Sequence, residues 1–216
     1  MKKIISGFIL MLGMFLTGCT GLTSHVVVTN GNENMIFEND EAAYNYAISA
    51  NAVYAMEGNV NVICPMDNGE NISFITTTYL EKDDNKYHTT VVLGSISSEF
   101  YTENTEDTTW YYICMKEEWS KTEQYNAGVA MENYLGLLSF NMFEKNGDVY
   151  NLNDALAETI QNEYGFQDIV LQFAETTNGT EINLSLYYVN TNNERVEITQ
   201  KIYMFNQVVI NLPIVE

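Results

Sequence analysis

The sequence predicts an α+β fold in one domain: a large antiparallel β-sheet with two to three α-helices. Three observations point there. Segments rich in Thr, Val, Tyr and Ile recur along the chain with short polar turns between them, the pattern of an antiparallel meander. Three stretches interrupt that rhythm with apolar residues at helical spacing. No repeat, low-complexity tract or linker divides the 216 residues, a length compatible with a single domain. Apolar residues make up 46% of the chain, with 15 Tyr and 10 Phe, enough to build a substantial core.

The first element stands outside that fold. Met1-Lys2-Lys3 is a basic start, and Ile4 to Leu16 is an apolar run too short and wrongly flanked for a stable membrane span. The run ends in Leu16-Thr17-Gly18-Cys19. This resembles the lipobox of bacterial lipoproteins, in which the Cys receives a diacylglyceryl group and becomes the new N-terminus. The resemblance implies a signal peptide over 1–18, lipidation of Cys19, and a mature protein held at the extracytoplasmic face of the cell membrane by palmitate-type chains. Two or more acyl chains anchor firmly, at about 0.8 kcal/mol per buried methylene. Residues 19–38 read as the lipidated Cys and a tether rich in Gly, Asn, Thr and Ser, with Val26-Val27-Val28 able to pair as a short edge strand. As free coil the tether spans roughly 25 Å. The body is expected over 39–216.

Charge excludes several partner classes. Lys and Arg number 9 against 29 Asp and Glu. Removal of Lys2 and Lys3 leaves seven against 29, or −22. Nucleic acid needs a basic footprint that this chain lacks, and anionic headgroups repel it. The membrane is therefore a partner through the lipid anchor alone, and the body is expected to be a monomer.

Element by element, Asn39 caps a helix whose first turn carries Asp40 and Glu41. Ala43, Tyr46, Ala47, Ala50, Val53 and Tyr54 continue one apolar face over 40–56, and Gly58 ends it. Strands follow at 60–64, 71–80, 86–93, 94–102, 110–115 and 118–123. Their turns are Pro65 to Glu70, Asp83-Asp84-Asn85, Asn104 to Thr108 and Lys116-Glu117. A second helix is expected over 128–143, apolar nearly all round and so buried or covering something apolar. Asn146-Gly147 turns into a short strand, Asp148 to Leu152. Asn153 or Asp154 caps a third helix over 155–164, stopped by Gly165. Strands at 168–175, 181–189, 195–205 and 207–212 close the chain, with Asn178-Gly179 and Asn192-Asn193 as hairpin turns.

This chain order carries a second resemblance. An amphipathic helix follows the tether, a meander ends in Glu117-Glu118-Trp119-Ser120-Lys121, then come a helix and Gly147-Asp148-Val149-Tyr150-Asn151-Leu152. The chain closes on Phe205-Asn206-Gln207-Val208-Val209-Ile210-Asn211-Leu212-Pro213. Over residues 40–216 this resembles the LolA/LppX-like superfamily of lipid- and lipoprotein-binding exported proteins, in particular the small lipoproteins of low-GC Gram-positive bacteria. The resemblance implies a curved sheet forming a half-barrel, with helices over its concave face and room for an acyl chain between them. Its motifs are structural and carry no catalytic signature.

The function expected from the sequence is therefore a membrane-anchored lipoprotein that binds a lipid or other amphiphile between sheet and helices. Tyr46, Val53, Tyr134, Leu137, Leu138 and Met142 are the candidate pocket lining, with ordinary core packing as the alternative. If large aromatics fill the space instead, the protein is a non-enzymatic interaction module. Trp110, Tyr111, Tyr112 and Trp119 form either a stacking rim or cross-strand pairs. No enzyme is expected. There is no Gly-rich phosphate loop, Gly-x-Ser-x-Gly or His-Glu-x-x-His, and the only His are His25, in the tether, and His88, at a strand start. No cofactor or metal is expected, since the acidic turns lack the ligand spacing of a calcium loop. Cys64 and Cys114 fall in strand-like segments and are either buried thiols or a disulfide.

Overall fold

The computed structural model describes residues 27–33, 35–66, 68–115, 118–123 and 133–215. The signal segment, Cys19 and most of the tether lie outside the described residues. The body is one open antiparallel sheet of 11 strands in the order β6-β5-β4-β3-β2-β1-β11-β10-β9-β8-β7. The strands are β1 (Val53–Pro65), β2 (Asn71–Asp83), β3 (Lys86–Leu93), β4 (Ile96–Asn104), β5 (Thr109–Met115), β6 (Glu118–Thr122), β7 (Phe143–Asn146), β8 (Val149–Leu152), β9 (Gln167–Thr176), β10 (Gly179–Val189) and β11 (Arg195–Tyr203). Among the described residues two α-helices accompany them, α1 (Asp40–Ala47) and α2 (Asp154–Tyr164).

The order follows from the turns. Short hairpins carry the chain from β1 outward to β6, one edge of the sheet. The chain then restarts at the other edge with β7 and meanders inward until β11 pairs with β1 at the centre. Alternation along β1 sends Tyr54, Met56, Val60 and Val62 to the helix side, where they meet Ile182, Leu184, Leu186, Ile198 and Ile202. Tyr44 of α1 and Ile160 of α2 close this core from above. Ala55 points the other way and packs with Val208 and Ile210 of the C-terminal segment, which crosses the opposite face at one end of the sheet.

Three sequence expectations are corrected. The first helix stops at Ala47 instead of running to 56. Val53 and Tyr54 share the helical spacing but begin β1, which is paired on both sides with β2 and β11; that ladder outweighs local propensity. The second helix is not formed over its described part: Tyr134–Leu137 and Phe140–Met142 are short 3-10 turns, and Phe143 already opens β7. Residues 128–132 of that expectation lie outside the described residues. Its all-round apolar pattern reflects a segment pressed onto the sheet, with Leu135 and Leu138 both buried. The strand expected at 207–212 is an extended segment with one bridge, Val208 to Thr29. Asn30 N donates to Gln207 O at 2.8 Å and Val209 N to Val28 O at 3.0 Å, so this end of the tether is tied to the body. The third helix stands as expected, capped by Asn153 Oδ1 on Ala155 N and ended by Gly165 at φ 75°.

Candidate functional site

The space between sheet and helices is where the sequence places a ligand, and the described side chains there meet ring to ring. Phe205 lies 5.2 Å from Phe37 and 5.9 Å from Tyr46. Phe140 lies 5.3 Å from Tyr150, which lies 5.6 Å from Phe173. Tyr134 stands 5.8 Å from Phe166. Buried polar bonds pin the crossing segment. Tyr44 Oη donates to Leu135 O at 2.9 Å, Tyr134 N to Gln200 Oε1 at 3.0 Å, and Asn133 Nδ2 to Tyr54 Oη at 3.2 Å. Burial raises the Tyr54 phenol to about 12, so it stays a neutral partner.

Four of the six candidate lining residues share the helix-side core and two do not. Tyr46, Tyr134 and Met142 pack at the margin of this core, and Leu138 is inside it. Leu137 points outward, 39% exposed. Val53 sits on the opposite face of the sheet, with Ala55 and the C-terminal segment.

That opposite face holds what sequence reasoning missed. One cross-strand row runs Tyr203, Ala55, Glu81, His88, Tyr101, Tyr112 and Lys121 from β11 to β6. His88 Nδ1 lies 2.7 Å from Glu81 and Nε2 lies 2.9 Å from Glu99, while the Tyr101 ring stacks on the imidazole at 4.3 Å. Burial pulls the His88 pKa down, but the two carboxylates outweigh it and raise it to about 9. Glu99 is held below its ordinary value, chiefly by the hydrogen bond from His88. The signal was present in the sequence: a hairpin centred on Asp84-Asn85 places Glu81 directly opposite His88. Glu81, His88 and Glu99 thus sit on three adjacent strands, β2, β3 and β4, with the Tyr101 ring over the imidazole. Among the described residues, no group of three or more His, Cys, Asp and Glu is placed to hold a metal ion.

The cysteines are not joined to each other. Cys64 is a free thiol, and its Sγ donates to Glu194 Oε1 at 3.2 Å. Burial and then that carboxylate push the thiol up to about 11, the reverse of an activated nucleophile. Cys114 is buried and disulfide-bonded. The Trp110 and Tyr112 rings flank Lys121 Nζ at 4.5 and 5.0 Å, and Trp119 meets Tyr101 edge-on at 5.4 Å. These contacts link β5 and β6 through Lys121 and β4 and β6 through Trp119.

Two features face outward. The β1–β2 hairpin projects past the rest of its wing. β2 pairs with β1 from Asn71 onward but with β3 only from Thr76. Residues 71–75 are all exposed, and Ile72, Phe74 and Ile75 are 44%, 36% and 55% exposed beside Met66 at 39%. Elsewhere on the face away from the helices, β1, β11, β10 and β9 form an open depression of about 430 Å3 lined mainly by polar side chains.

The sequence matches no protein-family model and no curated protein. Among solved structures it is similar to a DUF1329 family protein from Desulfovibrio piger, at 9% identity and a TM-score of 0.24, over 80% of this chain and 94% of that one. A likeness that weak carries no argument about fold or function. Among the described residues, no helix is long and apolar enough to cross a membrane.

Proposed function

We propose that this is a lipid-anchored extracytoplasmic lipoprotein whose body is a non-enzymatic interaction module, engaging a protein partner at the projecting edge of β2. The observation that carries this reading is the hairpin: among the described residues β3 pairs with β2 only from Thr76, and Ile72 and Ile75 stand well exposed beyond that point. Soluble proteins ordinarily protect such an edge with charge, proline or a bulge. None of the residues from Asn71 to Leu80 is charged or proline. An extended segment with alternating apolar residues can add there as a further strand, its backbone supplying affinity and its side chains specificity.

The ring-to-ring packing between sheet and helices supports this module over an acyl-chain carrier. The open antiparallel sheet with two helices supports a place in the LolA/LppX-like superfamily as part of the same reading. The anchor rests on the Leu16-Thr17-Gly18-Cys19 sequence.

Intact mass of the full chain, isolated from membranes of an expressing bacterium, tests the anchor. The expected product starts at Cys19 and carries a diacylglycerol mass. A mass that retains residues 1–18 with no lipid gain would overturn the anchor. Native mass spectrometry of the same preparation tests the module, because a stoichiometric lipid that survives removal of the anchor chains would return the interior to the role of carrier. For the edge, a photo-crosslinker at Ser73 is expected to trap one defined protein, and Ile75→Lys to abolish the adduct without lowering thermal stability.

A further inference from the structure

The depression on the face away from the helices is built differently from the β2 edge. Two cross-strand rows form its floor. One runs Thr77, Asn59, Thr199, Ser185, Val170; the other runs Tyr79, Glu57, Lys201, Asn183, Gln172. Asn59, Thr199, Ser185, Asn183 and Gln172 thus present amides and hydroxyls in a grid. Neighbouring columns are one strand spacing apart, about 4.8 Å. Among the described residues, the side chains of Thr199, Ser185, Asn183 and Gln172 make no hydrogen bond within the chain. Asn59 is half committed: its Oδ1 accepts from Thr77 Oγ1 at 2.7 Å, while its Nδ2 keeps two donors.

The charge pattern narrows the ligand. Glu57 and Lys201 lie 3.9 Å apart and cancel inside the depression, whereas the chain as a whole carries −20. The grid is therefore a neutral island in a negative field, which disfavours phosphates, sulfates and nucleic acid. A lipid chain gains nothing from exposed amides. The group that matches is a neutral, extended, polyhydroxylated chain, each ring close to one strand spacing in width and offering donors and acceptors on both edges. The volume of about 430 Å3 lies within the range of small-ligand sites and suits a short oligosaccharide.

We infer that the amide and hydroxyl grid on β1, β11, β10 and β9 is a binding site for a neutral glycan. This is independent of the proposed role of the β2 edge. Few apolar contacts accompany the hydrogen bonds, so affinity is modest and avidity at a membrane surface would matter.

The test is isothermal titration calorimetry of the full chain in detergent micelles, with chitotriose, a neutral chain of N-acetylglucosamine rings, as the probe. Saturable binding at about millimolar strength is expected. Asn183→Ala and, separately, the exposed Gln172→Ala are each expected to weaken it at least about tenfold while leaving the thermal transition in place. The Gln172 variant decides the matter if Asn183→Ala does not fold. A sulfated oligosaccharide of similar length is expected not to bind. Absence of saturation with chitotriose, binding that survives both substitutions, or equal binding of the sulfated chain would each overturn the site.

Discussion

At His88, two carboxylates and a tyrosine ring converge on one imidazole inside a sheet face. Hydrogen-bonded pairing makes this an anchor, and its sign with pH is fixed. A His pKa of 6.5 when unfolded and about 9 when folded contributes stability that is complete below the unfolded value and lost as pH rises through about 9. Glu99, held below its ordinary value, contributes stability present above the usual carboxylate range and lost as pH falls. The His88 part is on the order of 3 kcal/mol. Urea midpoints measured from pH 6 to 10 should therefore fall on the alkaline side, and His88→Gln should flatten that limb; an unchanged limb would show that His88 titrates normally. Lys82 is a second buried charge, 5% exposed, donating to the carbonyls of Ala50, Ala52 and Asp84. Desolvation lowers its pKa, yet its ammonium ties the Ala50 and Ala52 carbonyls of the turn between α1 and β1 to the β2–β3 turn at Asp84. Lys82→Met should cost about 1–3 kcal/mol through orphaned carbonyls, read by equilibrium denaturation.

Among the elements, α2 obeyed its local signals and α1 did not run its expected length. The α2 segment has an Asn cap at one end and a left-handed Gly165 at the other, and nothing in the sheet competes for its residues. Gly165→Ala should destabilise by about 1 kcal/mol, because a side chain at that φ is strained, although the added methyl meets Tyr188 Cβ only at 3.9 Å. The segment after α1 contained both a helical and a strand pattern, and pairing of β1 with two neighbours decided between them. The crossing segment 133–142 is held by Asn133, whose side chain reaches Ala47 O, Tyr54 Oη and Leu135 N. Asn133→Ala should loosen it, seen as faster amide exchange at Leu135 and Leu138 with smaller changes on β10.

Across the whole molecule, the strand order makes the two halves of the sheet depend on one seam. β1 begins the first meander and β11 ends the second, so the wings meet only when distant parts of the chain pair. Such contacts form late and slowly for their number. Ile198, buried on β11 against the helix-side core, should cost about 2–5 kcal/mol when changed to Ala. Both Trp lie on β5 and β6 at one edge, so Trp fluorescence reports the far wing. Coincident loss of fluorescence and far-ultraviolet circular dichroism in Ile198→Ala is expected; separated transitions would show the wings to be uncoupled.

Hairpins, their turns and the all-antiparallel character were legible because each rests on local chemistry. Asn178-Gly179, Asn192-Asn193 and Asp84-Asn85 mark the hairpin connections between β-prone runs, with Gly179, Asn193 and Asp84 at positive φ. The acidic balance and the lipobox-like start are likewise properties of the chain itself. The sequence could not decide where two patterns overlapped, as at Val53 and Tyr54, or whether an all-round apolar stretch would coil or lie flat, as at Tyr134 to Met142. Nor could it show which residues meet: Glu99 reaches His88 from a third strand, and Val53 and Leu138 end on opposite faces of one sheet. Local propensity amounts to tenths of a kcal/mol per residue, whereas pairing and burial draw on partners far along the chain. The tertiary structure alone sets those partners, and with them the ring packing on the helix side, the end of β2 that runs beyond its pairing with β3, and the polar grid.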